Sequence, residues 1–468
     1  MIDNTLQPLV PALPAARGKP WLTESRALLI LSGPLVAAQL AQMAIMTTDL
    51  VLLGRLSTEA LAAAAIGNTI YYFAWLIGAG PANAVAPMIA HVLGGRPRDR
   101  AGVRTITRMA LWCVGGLSLP LLVMMLFAEP ILRALGQTPV LSAQAGSFVA
   151  MLAIGVPFTL GFQVLRSFAT AVGRPNATLW VTLASIVWNG VAAYGLIFGH
   201  FGMPALGLVG GGLATASSAI FSFAAMLAIC YALPSLRQYR ILRRSHRPAW
   251  LKLAEVFRLG IPIGLTLIFE AMLFNSMTLL VGTFGEVQVA AHQVALNFAS
   301  ITFMVPLGVA MAATVRVGLH AGAGDLPAAR RAGLAAMAFG GALTAVSAYV
   351  MIFHGEAVAS LYFRRDEADP QVIALAALFL KVAAAFQLVD ALQVVGALSL
   401  RGLKDARMPM VLAGASYWLA GAPVCVWLGV QMGMQGLGVW IGLAFGLAVA
   451  AAAMCGRFIL LTRPVRAG

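Results

Sequence analysis

Asp49, Glu270 and Asp390 each interrupt an apolar stretch long enough to cross a bilayer, whereas the other acids of the chain lie in tails, loops or helix ends. An ionised acid at the centre of a bilayer costs about 2.5–3.5 kcal/mol on insertion scales, so three of them imply a shared use. Each has polar company at helical spacing. Gln39, Gln42, Met46 and Asp49 step by three, four and three residues, which puts them on one helix face. Gln387, Asp390 and Gln393 step by three, and Gln293, Asn297 and Ser300 form a similar stripe. Such stripes are expected to face a hydrated interior instead of lipid. Two chemistries suit them. Desolvation and a neighbouring acid both raise a carboxyl pKa, which allows proton uptake and release near neutral pH. Alternatively, carboxylate, amide and hydroxyl oxygens replace the hydration shell of Na⁺, with Glu270 and Asp390 as its ligands. The residues alone do not choose between H⁺ and Na⁺.

The elements that must hold these acids follow from composition. Of 468 residues, 60% are hydrophobic and 10% charged, and the mean hydropathy is +0.89. These values describe a polytopic membrane protein. A helix of about 20 apolar residues spans a hydrocarbon layer of roughly 30 Å. Twelve such segments are expected, near 27–53, 60–91, 105–127, 140–166, 177–200, 206–233, 252–283, 287–318, 328–354, 371–400, 407–432 and 435–461. The predicted fold is therefore all-α, with twelve transmembrane helices.

Charge sets the expected orientation. Most of the 31 Lys and Arg fall on one side if the N-terminus is cytoplasmic. The densest clusters are Arg96, Arg98, Arg100, Arg104 and Arg108, and Arg237, Arg240, Arg243, Arg244 and Arg247. Arg55, Arg133, Arg364 and Arg365 fall on the other side, and Arg166 and Lys381 lie within spans. Both termini are predicted inside, and because orientation explains the net charge of +15, no nucleic-acid partner is expected. Residues 1–25, rich in proline, read as a disordered cytoplasmic tail and not as a cleavable signal. The four cysteines are scattered singly through the spans, without metal or disulfide spacing. No use of ATP is expected, as there is no GxxxxGK[ST] sequence, and no enzyme, for want of a paired nucleophile and base: the six histidines are scattered, and only His292 lies well inside a span.

The chain also repeats. Shifted by 228 positions, Pro34 falls on Pro262, Gly54 on Gly282, Ala62 and Ala63 on Ala290 and Ala291, and Gly94 on Gly322. An even number of helices separates the copies, so both have the same orientation, related by an axis along the membrane normal with a cleft between them. The expected division is an N-lobe of helices 1–6 (26–233), a cytoplasmic linker (234–250), a C-lobe of helices 7–12 (251–462) and a short tail (463–468).

The runs "TTDLVLLGRLSTEALAAAAIG" (Thr47 to Gly67), "FEAMLFNSMTLLVGTFGEVQVAAHQVALNFASITFMVPLGVAMAATVRVG" (Phe269 to Gly318) and "FQLVDALQVVGALSLRGLKD" (Phe386 to Asp405) resemble the multidrug and toxic compound extrusion (MATE) transporters, and most closely their bacterial NorM-type branch. The resemblance covers nearly the whole chain after the tail. It implies two six-helix bundles, a central cleft, and antiport of Na⁺ or H⁺ against organic cations without a cofactor. It also implies a monomer in the bacterial inner membrane. Asp49, Glu270 and Asp390 match the first-, seventh- and tenth-helix acids that this branch uses for cation coupling. A fifth-helix acid of archaeal relatives has no counterpart; Asn189 is the polar residue available there.

Cationic, amphipathic substrates suit carboxyls flanked by aromatic and Met walls. Candidates are Tyr71, Tyr72, Phe274, Met277, Phe298, Phe303 and Phe386. Gly207, Gly210, Gly211, Gly212, Gly436, Gly438 and Gly442 are expected to let helices approach closely, and Pro34, Pro157, Pro262 and Pro306 to bend them or fix kinks. Two other functions fit the architecture. A flippase for a lipid-linked saccharide would want an Arg-rich cleft to hold pyrophosphate. A passive channel would conduct without ion exchange.

Overall fold

The computed structural model describes residues 20–243, 248–363 and 369–463, apart from the side chains of Met46, Leu50 and Val51. Arg244, Arg247, Arg364 and Arg365, and the expected tails before Pro20 and after Arg463, lie outside the described residues. Among the described residues, twelve helices are long and apolar enough to cross a membrane: α1 Pro20–Leu56, α2 Thr58–Gly95, α3 Arg100–Leu126, α4 Pro139–Ala171, α5 Pro175–Phe198, α6 Gly207–Ala232, α7 Trp250–Gly282, α8 Glu286–Gly322, α9 Leu326–Phe353, α10 Pro370–Gly402, α11 Arg407–Gln431 and α12 Gln435–Leu461. All twelve expected spans are present.

Several ends are set by local chemistry. Ser57, Asp99, Thr138, Asp325 and Asp369 each accept a hydrogen bond from a backbone N–H in the first turn of α2, α3, α4, α9 and α10 respectively, which satisfies donors a helix start leaves open. The start of α1 differs from expectation. Residues 20–25, assigned to the tail by their position ahead of the apolar run, are its first helical residues. Glu24, three per cent exposed, anchors this turn through the ion pair described below. In α11 the regular helix is interrupted by two π-helical turns, Ser416–Gly421 and Trp427–Gln431.

The described chain forms two units. One contains Leu40–Gly264; the other contains the α1 residues up to Gln39 and everything from Leu265 onward. The expected lobes were divided at the linker, whereas these units are divided inside α1 and α7, so each takes a part of both helices. Within the first unit α2 packs on α3 and α4, α4 on α3 and α6, and α5 on α6. Within the second, α8 packs on α9 and α10, α10 on α9 and α12, and α11 on α12. Adding six to each helix number converts one set into the other.

The repeat extends to individual contacts. In the first unit α2 meets α7 so closely that a Cβ on Gly80 would stand 2.4 Å from the Gly260 carbonyl and 2.7 Å from Gly264 N. In the second, a Cβ on Gly308 of α8 would stand 2.7 Å from the Val36 N of α1. Gly80 and Gly308, like Val36 and Gly264, are related by the 228-residue shift. Likewise Gly210 presses on Leu196 of α5, and Gly438 on Leu428 of α11. With no hydrophobic drive between helices in lipid, such close backbone approach supplies the packing energy. Gly211, Gly212, Gly436 and Gly442 also sit in tight crossings. Gly207 does not; it opens α6 at φ +57°, with its nearest neighbour atom 3.5 Å away, and so serves a turn that glycine adopts without strain.

Candidate functional site

In the second unit, α10 carries Gln387, Asp390 and Gln393, all buried. Gln387 donates to the Ala299 carbonyl of α8, and Gln393 Nε2 lies 3.7 Å from Met454 Sδ of α12. The two glutamines thus hold α10 against its neighbours on either side of Asp390. Asp390 Oδ1 has no hydrogen-bond partner among the described residues. Glu270 of α7, half-buried, lies within electrostatic reach of Asp390, and two groups that the sequence reading did not select join them: Arg401 of α10 faces Glu270, and Tyr417 of α11 faces both acids and Arg401. Tyr417 occupies the first π turn, is completely buried, and its hydroxyl is also without a partner. Buried polar atoms are paired as a rule. An unpaired carboxylate oxygen and an unpaired hydroxyl near a second acid therefore present oxygens to a small cation or to a proton.

Two of the expected aromatics, Phe274 and Phe386, belong to a packed chain of rings. Phe274 meets Phe386 edge-on at 6.0 Å, Phe386 meets Trp440 at 5.5 Å, and Trp440 meets His292 at 5.6 Å. His292 Nε2 in turn lies 3.0 Å from the Thr278 hydroxyl. Phe386 and Trp440 are buried, and Phe274 is the half-exposed end. Met277 is buried and Phe298 half-buried. The α8 stripe is more open: Gln293 and Asn297 are exposed. Asn297 Oδ1 accepts a 2.9 Å hydrogen bond from Tyr362 in the loop before α10. Burial pushes the Tyr362 phenol up from its ordinary value, which keeps it protonated as the donor.

The first unit holds a separate arrangement. Asp49 Oδ2 accepts a hydrogen bond of 3.0 Å from the Thr215 hydroxyl of α6, which also lies 3.1 Å from the Gly211 carbonyl. Asn189 of α5, completely buried, is within interaction range of the same carboxylate without completing a hydrogen bond of ordinary geometry. Asp49 Oδ1 is left open. Gln42 is half-buried on the preceding turns of α1. Tyr71 is bonded to Thr159 of α4 at 3.0 Å and Gln163 donates to Asn83 at 2.9 Å; both pairs tie α2 to α4.

A third polar cluster was missed. Arg316 of α8 donates to both oxygens of Glu24 at 2.7 and 2.6 Å, and His320 lies 3.0 Å from Glu24 Oε2. All three are buried. Arg316 and His320 are one turn apart on α8, a pattern that could have flagged a shared acidic partner; Glu24 had been placed in the tail and Arg316 among the charges that set orientation. Arg401 was overlooked for the same reason, as a basic helix end.

The MatE family model matches residues 34–195 and again 262–427, so its two matches begin on Pro34 and Pro262, the first aligned pair of the internal repeat. The chain is 41% identical over 453 residues to the probable multidrug resistance protein NorM of Rhizobium meliloti, covering 96% of each chain. It is 39% identical over 430 residues to the protein of the same name in Burkholderia mallei, covering 92% of this chain and 91% of that one. Among solved structures, the eukaryotic MATE transporter AtDTX14 superposes with a TM-score of 0.84 at 22% identity, over 95% of this chain and 97% of the other. A MATE structure in the bent conformation superposes at 0.83 with 18% identity, over 95% and 98%.

Proposed function

Because this chain belongs to the MatE family of membrane transporters, we propose that it is a secondary active multidrug exporter, moving cationic amphipathic molecules outward in exchange for Na⁺ or H⁺. Its relatives carry the name multidrug resistance protein, which supports the efflux direction. The observation that carries the coupling is the grouping of Glu270, Asp390, Arg401 and Tyr417 inside the spans of one unit.

Charge counting limits the exchange. With both acids ionised and Arg401 cationic, those groups sum to one negative charge, so one monovalent cation neutralises them. Binding of a proton or Na⁺ and binding of a cationic drug then compete for the same charge. Tight coupling converts this competition into transport: exchanging one singly charged cation for another moves no net charge, so the ion's concentration ratio, worth about 1.4 kcal/mol per tenfold, sets the drug gradient that it supports. Phe274, the half-exposed end of the ring chain, provides an aromatic face for the drug. Asp49, held by Thr215 in the other unit, is a second acid site whose contribution is separable from that of Glu270 and Asp390.

The protein acts as a single chain in a bacterial inner membrane with both termini cytoplasmic, as the placement of its basic residues supports. The test is uptake of a fluorescent organic cation into proteoliposomes under an imposed Na⁺ gradient and, separately, a pH gradient, with wild type, Glu270→Gln, Asp390→Asn and Asp49→Asn. Transport driven by one gradient and lost in the Glu270 and Asp390 variants identifies the ion and upholds antiport. Failure of both gradients with inserted, folded protein rejects it in favour of the flippase reading.

A further inference from the structure

The two densest basic clusters were read as orientation signals alone, but Arg108 of the first lines a groove in the first unit, and the backbone of Arg243 from the second reaches it. It has a volume of about 400 Å³ and is lined by Arg108, Leu111, Trp112, Gly115 and Gly116 of α3 and by Leu242 of the segment after α6. We propose that this groove binds one anionic phospholipid, with its phosphate at the Arg108 end and an acyl chain running along α3.

The rim is built, not incidental. Arg108 Nη1 reaches the Arg243 carbonyl at 3.5 Å, and Arg243 N bonds the Arg240 carbonyl at 2.9 Å, so the backbone turn from Arg240 to Arg243 is held against the Arg108 end of the groove. Arg240 closes that turn at φ 46°. The turn is pinned twice: Tyr239 packs edge-on against Phe168 of α4 at 5.5 Å, and Leu242 N donates to the Tyr231 hydroxyl at 3.3 Å. Arg100 faces Tyr239 electrostatically. Arg240, Arg243 and Arg100 are exposed, and guanidinium groups suit phosphate through planar, paired donors. Basic pockets between membrane helices recognise lipid head groups in this way.

The body of the groove is apolar. Gly115 and Gly116 have open space where a Cβ would stand, about two turns beyond Arg108, a distance of roughly 11 Å along the axis. Trp112 lies between them and is 44% exposed; its indole suits the level where head group meets acyl chain. Beyond Gly116, Leu119 and Val123 are exposed on the same face of α3, at 68% and 54%. Charge, indole and apolar stripe thus follow one another in the order of a phospholipid's own parts.

The test uses the purified full chain, delipidated in neutral detergent and titrated with phosphatidylglycerol, with phosphatidylcholine of the same chains, and with inorganic phosphate. The readouts are retained lipid by native mass spectrometry and the thermal unfolding midpoint. Wild type is expected to retain one phosphatidylglycerol and to gain several degrees from it. Arg108→Gln and Gly116→Leu are expected to lower its retention at least threefold, and Arg407→Gln, at an exposed arginine that does not line the groove, to leave it unchanged. Gly116→Leu directs its side chain into open space, so it keeps the test valid if Arg108→Gln fails to fold. Equal binding of phosphatidylcholine, equal loss in all three variants, no loss in Gly116→Leu, or full stabilisation by phosphate alone would overturn the proposal.

Discussion

Glu270 and Asp390 differ from ordinary buried acids in having each other, an arginine and an unpaired tyrosine hydroxyl within reach. Glu270→Gln and Asp390→Asn are expected to lower gradient-driven uptake by at least about tenfold, equivalent to about 1.4 kcal/mol, while the detergent-solubilised protein keeps its unfolding midpoint. Tyr417→Phe separates ring from hydroxyl. It should leave folding intact and shift the half-saturating concentration of the driving ion several-fold, measured by uptake against ion concentration. Thr215→Val removes the hydrogen bond to Asp49, worth about 1 kcal/mol, and its effect on uptake should disappear in an Asp49→Ala background, where no acceptor remains. Glu24→Gln leaves Arg316 charged and buried without its carboxylate, a loss of about 3–5 kcal/mol when one partner of a buried pair is removed. The expected readout is a lowered unfolding midpoint, larger than that of Glu129→Gln, whose pairing with Arg133 is exposed. The acids themselves were legible in the sequence because a charge in an apolar run is conspicuous. Arg401, Tyr417 and Glu24 were not, because each becomes unusual only through neighbours distant in the chain.

Several helix crossings in this protein depend on glycines whose Cβ would stand against a neighbouring backbone. Gly308→Ala would drive a Cβ to within 2.7 Å of the Val36 backbone, and overpacking of this kind costs about 1–3 kcal/mol. Gly341→Ala meets nothing within 4 Å and should be neutral in the same thermal assay. Gly80→Ala, the repeat counterpart of Gly308→Ala, should match it in direction. The repeat made these pairs findable in principle, since Gly80 and Gly308 align at the 228-residue shift; which glycine meets which helix was not. The π turns of α11 were also invisible beforehand. Their sequence, "SYWLAG" and "WLGVQ", carries no signal that separates a six-residue turn from an ordinary one, and such turns favour functional positions.

For the molecule as a whole, the sequence decided the number of spans, the duplication and the family, because apolar length and internal periodicity are properties of the chain read in order. Orientation rests on charge distribution, and fusion of a fluorescent protein to the C-terminus is expected to fluoresce while a periplasm-dependent phosphatase at the same site stays inactive. The sequence also singled out Asp49, Glu270 and Asp390, since the cost of a desolvated charge is legible from its surroundings in the chain alone. Only the tertiary structure decided that α1 and α7 each divide between two packing units, that the flanking glutamines of Asp390 are spent on holding helices, and that basic residues read as orientation signals form an ion pair in one place and a groove in another. The reason is physical: in a bilayer nearly every helix is apolar on all sides, so hydrophobic patterning no longer tells which face meets which. That choice falls to close backbone contacts and scarce polar pairs between residues hundreds of positions apart.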